Sequence, residues 1–175
     1  MTAAAQPGQT QFFQLYVNHN REVTRKMIER CKAGGIKVIC VTVDAPQLGR
    51  REKDMRMKFT EGGSDVQTED DQKGKVNRGE GAARAISQFI DPSLCWDDIA
   101  WLKEICHPMK LVLKGVQTAE DAVKAVDYGL DGVILSNHGG RQLDFARSGI
   151  EVLTEVMDAL DAINARDKLE VGAHG

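Results

Sequence analysis

His138 and Arg141, three residues apart in the stretch SNHGGRQLD (136–144), are the side chains of this sequence best suited to chemistry. An imidazole exchanges a proton near neutral pH. A guanidinium is a planar fork that grips a carboxylate through two parallel hydrogen bonds. Together they point to proton abstraction from a small organic acid, although His-Gly-Gly-Arg taken alone is equally compatible with an ordinary polar turn. The run before it, Gly132-Val133-Ile134-Leu135, weighs on the choice. A short buried strand that ends in Ser-Asn-His and turns on two glycines would lift both side chains into the space above the strand end.

The elements that would position this pair alternate along the chain. Gln11–Val17 is aromatic and β-branched and reads as a strand, with Gln14 and Tyr16 on one face by the two-residue period. Val23, Met27, Ile28 and Cys31 then share a helical stripe, with Asn20 as N-cap and Gly34-Gly35 as the stop. Ile36–Val43 is a near-continuous β-branched strand that puts Thr42 and Asp44 on one face before Pro46. Residues 49–80 are dense in charge and glycine and read as a long surface loop. A short helix is expected over 82–90, ended by Asp91-Pro92. Asp97 and Asp98 suit a first helical turn ahead of the stripe Ile99, Leu102, Ile105 and Cys106, which Pro108 closes. A strand at 111–114 stops at Gly115. Thr118-x-x-Asp121 opens a helix that runs towards Gly129. The strand at 132–136 carries the motif, Ile150, Leu153, Val156, Met157 and Leu160 form another helix, and a last strand begins at Leu169. Strict alternation of strand and helix implies an α/β fold with a parallel sheet.

In such folds the functional groups collect at the carboxyl ends of the strands. Here each strand gives out in polar residues: Gln14 and Tyr16, Thr42 and Asp44, Lys114, then Ser136 and His138. Any one of these is weak, since a Lys at a strand end is usually a solvated end and an Asp before Pro a turn residue. The four coincidences together favour a functional site over a turn.

Composition narrows the class further. The 175 residues are 42% hydrophobic and 28% charged with a net charge of −3, enough apolar material for a core and no basic field for nucleic acid. No apolar run approaches the ~20 residues of a membrane span. Residues 1–10 read as a polar leader without the features of a secretory signal or a mitochondrial presequence. Cys31, Cys40, Cys95 and Cys106 show no metal-ligand spacing and are expected as reduced, mostly buried thiols. His107, His138 and His174 match no ligand pattern, and no metal is expected.

The stretches FFQLYV (12–17), VTVDAPQLGRREKDMR (41–56), FIDPSLCWDDI (89–99), LKGV (113–116) and SNHGGRQLDF (136–145) resemble the FMN-dependent α-hydroxy-acid dehydrogenase and oxidase family. Within it they are most similar to the cytochrome-linked L-lactate dehydrogenases, the flavocytochromes b2. The resemblance covers nearly all of residues 11–171, in order. It implies a TIM (β/α)8 barrel with FMN at its carboxyl face, of which this chain would be a fragment holding about strands 3 to 7, without the loops for the FMN phosphate. By resemblance His138 is the base that acts on an L-2-hydroxy acid, Asp44 orients and stabilises its imidazole, and Tyr16 hydrogen-bonds the reacting oxygen. Arg141 binds the substrate carboxylate with Arg51 near the entrance. Lys114 places a cation by the flavin, and Gln14, Thr42 and Ser136 hydrogen-bond its ring. The family further implies cytochrome c or oxygen as electron acceptor, a homo-oligomer, and a mitochondrial location, with a cytoplasmic one as the other option. A non-catalytic, truncated member that cannot hold FMN is the alternative reading.

Overall fold

A computed structural model describes residues 4–47, 49 and 89–174. Five strands, β1 (Phe12–Leu15), β2 (Val38–Thr42), β3 (Lys110–Val116), β4 (Gly132–Leu135) and β5 (Glu170–Ala173), form one sheet in the order β1-β2-β3-β4-β5. Every neighbouring pair is parallel. Sequential order without a reversal is the winding of a barrel arc; a doubly wound sheet would switch direction at its middle. Among the described residues β1 and β5 each pair on one side only.

The connecting helices follow the local signals. In α1 (Arg21–Ala33) the Asn20 side chain accepts from the Glu22 N–H at 3.1 Å, and Gly35, at a φ of +79°, turns the chain out of the helix. α2 (Ile99–Cys106) is preceded by a 3-10 turn at Trp96–Asp98, so the two aspartates sit one turn earlier than the stripe implied. α3 (Ala119–Asp127) starts on Thr118, whose hydroxyl accepts from the Asp121 N–H at 3.2 Å. α4 (Gly149–Ala162) opens on a reciprocal cap between Ser148 and Glu151.

Register divides the sheet into two faces. Leu15, Ile39, Val41, Leu111, Leu113, Val133 and Leu135 lie on the odd face and belong to the main core with Ile28, Leu102, Ala122, Ala125, Val152, Val156 and Leu160 of the helices. The even face carries a separate small cluster, Val38, Cys40 and Val112 with Ile134 against it. This is the inner face of the arc. Cys31, Cys40 and Cys106 are buried and free, Cys95 is exposed and free, and burial pushes the Cys106 thiol up to about 11.

Several expectations shift. β3 runs two residues past Lys114, to Val116, through a bulge at Gly115. β5 begins at Glu170 and extends to Ala173. The end of the helix expected over 82–90 is not helical, since Phe89 lies in a turn and Ile90 bridges Asn18 in antiparallel fashion. The rest of that helix, and all of the charged loop of 49–80 except Gly49, lie outside the described residues.

Candidate active site

The polar residues picked from the strand ends share the even parity of the inner face. Gln14 stands beside Cys40 in the register, Thr42 pairs with Lys114, and Lys114 pairs with Ile134. Tyr16, Asp44, Ser136 and His138 each continue that parity just beyond a strand end. The parallel ladder therefore gathers residues from four strands on one side of one end of the sheet.

His138 is turned back over this end by its backbone. Its φ is +62°, and Gly139 and Gly140 follow at +65° and +67°. A non-glycine residue in that region is uncommon and His is among the types that enter it. The conformation is held by the Ser136 hydroxyl, which accepts from the His138 N–H at 3.1 Å, and by the Asn137 side chain, which accepts from the Gly140 N–H at 3.0 Å.

The imidazole is pinned at both nitrogens. Nδ1 lies 2.7 Å from Asp44 Oδ1 and Nε2 lies 3.4 Å from the Tyr16 hydroxyl. A carboxylate only accepts, so in the neutral ring Nδ1 carries the proton and the Nε2 lone pair faces Tyr16. Asp44 is itself flanked by a cation, with Lys114 Nζ 3.6 Å from its Oδ2, and its side chain is 8% exposed. Lys114 Nζ also reaches the Ser136 hydroxyl at 3.4 Å. A base oriented by a shielded carboxylate can take up a proton while the carboxylate stabilises the resulting charge.

Thr42 presents a different feature. It is 4% exposed and its Oγ1 is buried without a hydrogen-bond partner among the described residues. A buried hydroxyl left unpaired is costly and marks a place where a ligand acceptor or donor would be welcome.

Arg141 follows on the same turn, exposed at the rim. Gln14 is also exposed, at the open end of β1, and Arg51 lies outside the described residues.

Gln142, Gly115 and His174 were not among the site residues picked from the sequence. Gln142 ties the motif to the segment after Asp44: its Nε2 donates to the Gln47 carbonyl at 2.6 Å and its Oε1 accepts from the Gly49 N–H at 3.1 Å. The two backbones meet so closely at Gly49 that a Cβ there would overlap the Arg141 carbonyl. Gly115 has a comparable contact with Asp44. His174, reached by extending the β4–β5 register one step, falls beside Ser136 at the end of the fifth strand. The sequence signal for Gln142 was its place inside the motif; the two others carried none beyond residue type.

The family model described as FMN-dependent dehydrogenase matches residues 1–175. An L-lactate dehydrogenase (cytochrome) of Wickerhamomyces anomalus is 52% identical over 169 residues, covering 97% of this chain and 29% of that protein. The recombinant flavin-binding domain of baker's yeast flavocytochrome b2 superposes with a TM-score of 0.77 at 46% identity, over 97% of this chain and 37% of that one. A mandelate oxidase with (S)-4-hydroxymandelic acid gives a TM-score of 0.76 at 32% identity, over 94% of this chain and 45% of the other. The chain thus spans less than a third of the length of the curated relative and under half of either structure. With the family matched from end to end and the arc of parallel strands shared with these structures, the chain belongs to the FMN-dependent dehydrogenases.

Proposed function

We propose that this chain carries the substrate-oxidising residues of an FMN-dependent enzyme that converts an L-2-hydroxy acid, L-lactate in the first instance, to the 2-oxo acid. The observation that carries the reading is the line from the Tyr16 hydroxyl through His138 to Asp44, with Lys114 against the far carboxylate oxygen. The residues present fit the family's cofactor: an orphaned buried hydroxyl on Thr42 and a cation on Lys114 lie on the inner face beside the base. Lys114, Thr42, Ser136 and Gln14 would hold the flavin. FMN, when bound, supplies the two-electron acceptor.

The rest of the chemistry belongs to the chain. His138 Nε2 takes a proton from the substrate, from its hydroxyl or from its α-carbon, and Asp44 stabilises the imidazolium that results. The Tyr16 hydroxyl, already directed at Nε2, hydrogen-bonds the reacting oxygen. Arg141 takes the substrate carboxylate as a bidentate fork, with Arg51 adding positive charge. L-lactate as substrate is supported by the 52% identity to a cytochrome-linked L-lactate dehydrogenase, and the same relative favours a cytochrome as electron acceptor over oxygen.

Purified protein loaded with FMN should show a bound-flavin absorbance that bleaches under anaerobic conditions on adding L-lactate, with one pyruvate formed per flavin. Bound flavin that stays oxidised in L-lactate and in other L-2-hydroxy acids would overturn the proposal.

A further inference from the structure

We infer that Gly115 is a positioning residue for the proposed base, because the space left by its missing side chain is where the Asp44 carboxylate sits. The inference rests on the reading of His138 as the base, while the geometry behind it stands independently. β3 carries one residue more than β4 at this point: Lys114 pairs with Ile134 and Val116 with Leu135, so Gly115 is bulged out of the ladder. Its φ is +109°, which side chains with a Cβ rarely adopt.

Space forbids a side chain as firmly as conformation does. A Cβ built on Gly115 overlaps the Cβ and Cγ of Asp44 and lies 2.8 Å from its Oδ2. Cγ could swing away about χ1, but the Asp44 Cβ is fixed by its backbone. That backbone is pinned next door, where the Val43 N–H donates to the Lys114 carbonyl at 2.9 Å. Relief therefore means moving Asp44 as a whole, away from His138 Nδ1 at 2.7 Å and Lys114 Nζ at 3.6 Å. The bulge thus does two things at once. It shifts the pairing with β4 by one residue just after Lys114, and it opens the seat in which the carboxylate meets both His138 and Lys114.

Gly35 supplies the control. Its φ is +79° but a Cβ there meets nothing within 4 Å, so Gly35→Ala reads backbone strain without collision. In the flavin-free protein, Gly115→Ala should lose the far-downfield proton resonance of the His138–Asp44 hydrogen bond, a signal assigned by its absence from His138→Asn, while Gly35→Ala keeps it. Thermal unfolding closes a second route, open even where Gly115→Ala melts poorly. Asp44→Gly removes the colliding atoms, so Gly115→Ala should cost less stability in that background than in the parent. With FMN and L-lactate, Gly115→Ala should lower kcat by about 10²-fold, the scale of a 1 Å misplacement, with KM changed by less than about threefold. Retention of the resonance in Gly115→Ala, or an equal stability cost in both backgrounds, overturns the inference. A parent protein that shows the resonance and the coupling yet reduces no flavin sinks the proposed function instead.

Discussion

On the outer face of the sheet the side chains that meet the helices are aliphatic and nearly sealed, Leu15, Ile39 and Leu135 among them at 0% exposure, as is Leu102 of the facing α2. On the inner face the aliphatic cluster is only Val38, Cys40, Val112 and Ile134, and towards the carboxyl ends of the strands it gives way to Thr42, Lys114, Asp44, Ser136 and His138. The same five strands build both faces. The outer one is redundant, since each group contacts several others of like kind and its worth is the area it removes from water. The inner one is specific, since Lys114, Asp44, Ser136 and His138 each meet particular partners at set distances and Thr42 keeps a hydroxyl in reserve. Substitutions on the outer face should thus cost stability with little change in chemistry per folded molecule, and those on the inner face the reverse.

The largest effect should come from His138→Asn. Loss of a positioned base costs about 10²- to 10⁴-fold in turnover, while Asn tolerates the left-handed backbone that His138 adopts at a φ of +62°. Flavin retention and the unfolding midpoint should stay near those of the parent. Leu102→Ala reverses the pattern. Leu102 is fully buried in α2, and truncation there should cost about 2–5 kcal/mol in urea unfolding with turnover per folded molecule unchanged. A His138→Asn protein as unstable as Leu102→Ala, or a Leu102→Ala protein that is stable but inactive, would erase the distinction between the faces.

A third region combines both characters. Arg21 Nη2 lies 2.7 Å from Asp91 and 3.0 Å from Asp98, and its guanidinium sits 4.8 Å above the Trp101 ring. This cluster fastens the chain re-entering at residues 89–98 onto the start of α1. The Ser93 hydroxyl at 2.6 Å, then the Ser93 N–H and the Arg21 charge, hold the Asp91 carboxyl below the usual carboxylate range. A depressed folded-state pKa contributes stability above the unfolded value of ~3.9 that is lost as the pH falls through the folded value. Arg21→Met should therefore cost about 1–3 kcal/mol at neutral pH, and the gap to the parent should narrow in unfolding titrations at progressively lower pH. A gap that stays constant from pH 7 to pH 3 would remove the ion pair from the account.

Much of this arrangement is legible in the sequence because it is written in short periods. Two-residue alternation places Gln14 with Tyr16 and Thr42 with Asp44, each pair on one face of its own strand, and parallel pairing then joins the pairs and brings Asp44 to His138 although 94 residues separate them. What escaped is what depends on partners that no local pattern names. Lys114-Gly115-Val116 reads as a strand stopped by glycine, whereas the strand continues through a bulge whose purpose appears only with Asp44 beside it. Gln142 reads as one polar residue in a turn, and its partner Gln47 lies 95 residues away. Ile90 reads as the end of a helix that Asp91-Pro92 stops, yet it bridges Asn18 in antiparallel fashion. The reciprocal cap between Ser148 and Glu151, which the apolar stripe from Ile150 does not announce, starts α4 one position ahead of that stripe.

The smallest expected effect separates the faces most sharply. Thr42 lies in β2 between Val41 on the outer face and the inner-face site, and its buried Oγ1 has no hydrogen-bond partner among the described residues. Thr42→Val keeps the shape and the β-branched fit to the strand while removing the orphaned hydroxyl. If that hydroxyl serves only the fold, its loss is a gain: an unpaired polar group leaves the interior and the flavin-free protein should be unchanged or stabilised by up to about 1 kcal/mol. If it serves the flavin, the same change should weaken FMN binding by roughly 2- to 10-fold, the worth of one hydrogen bond of about 0.5–1.5 kcal/mol. The proposed function expects both results together, a flavin-free protein no less stable and a flavin less tightly held. Thermal unfolding without FMN, set beside an FMN titration by flavin fluorescence quenching, measures the two independently. Unaltered FMN affinity would place Thr42 with the packing residues of Val38 and Cys40, and the boundary of the site would retreat one residue along β2.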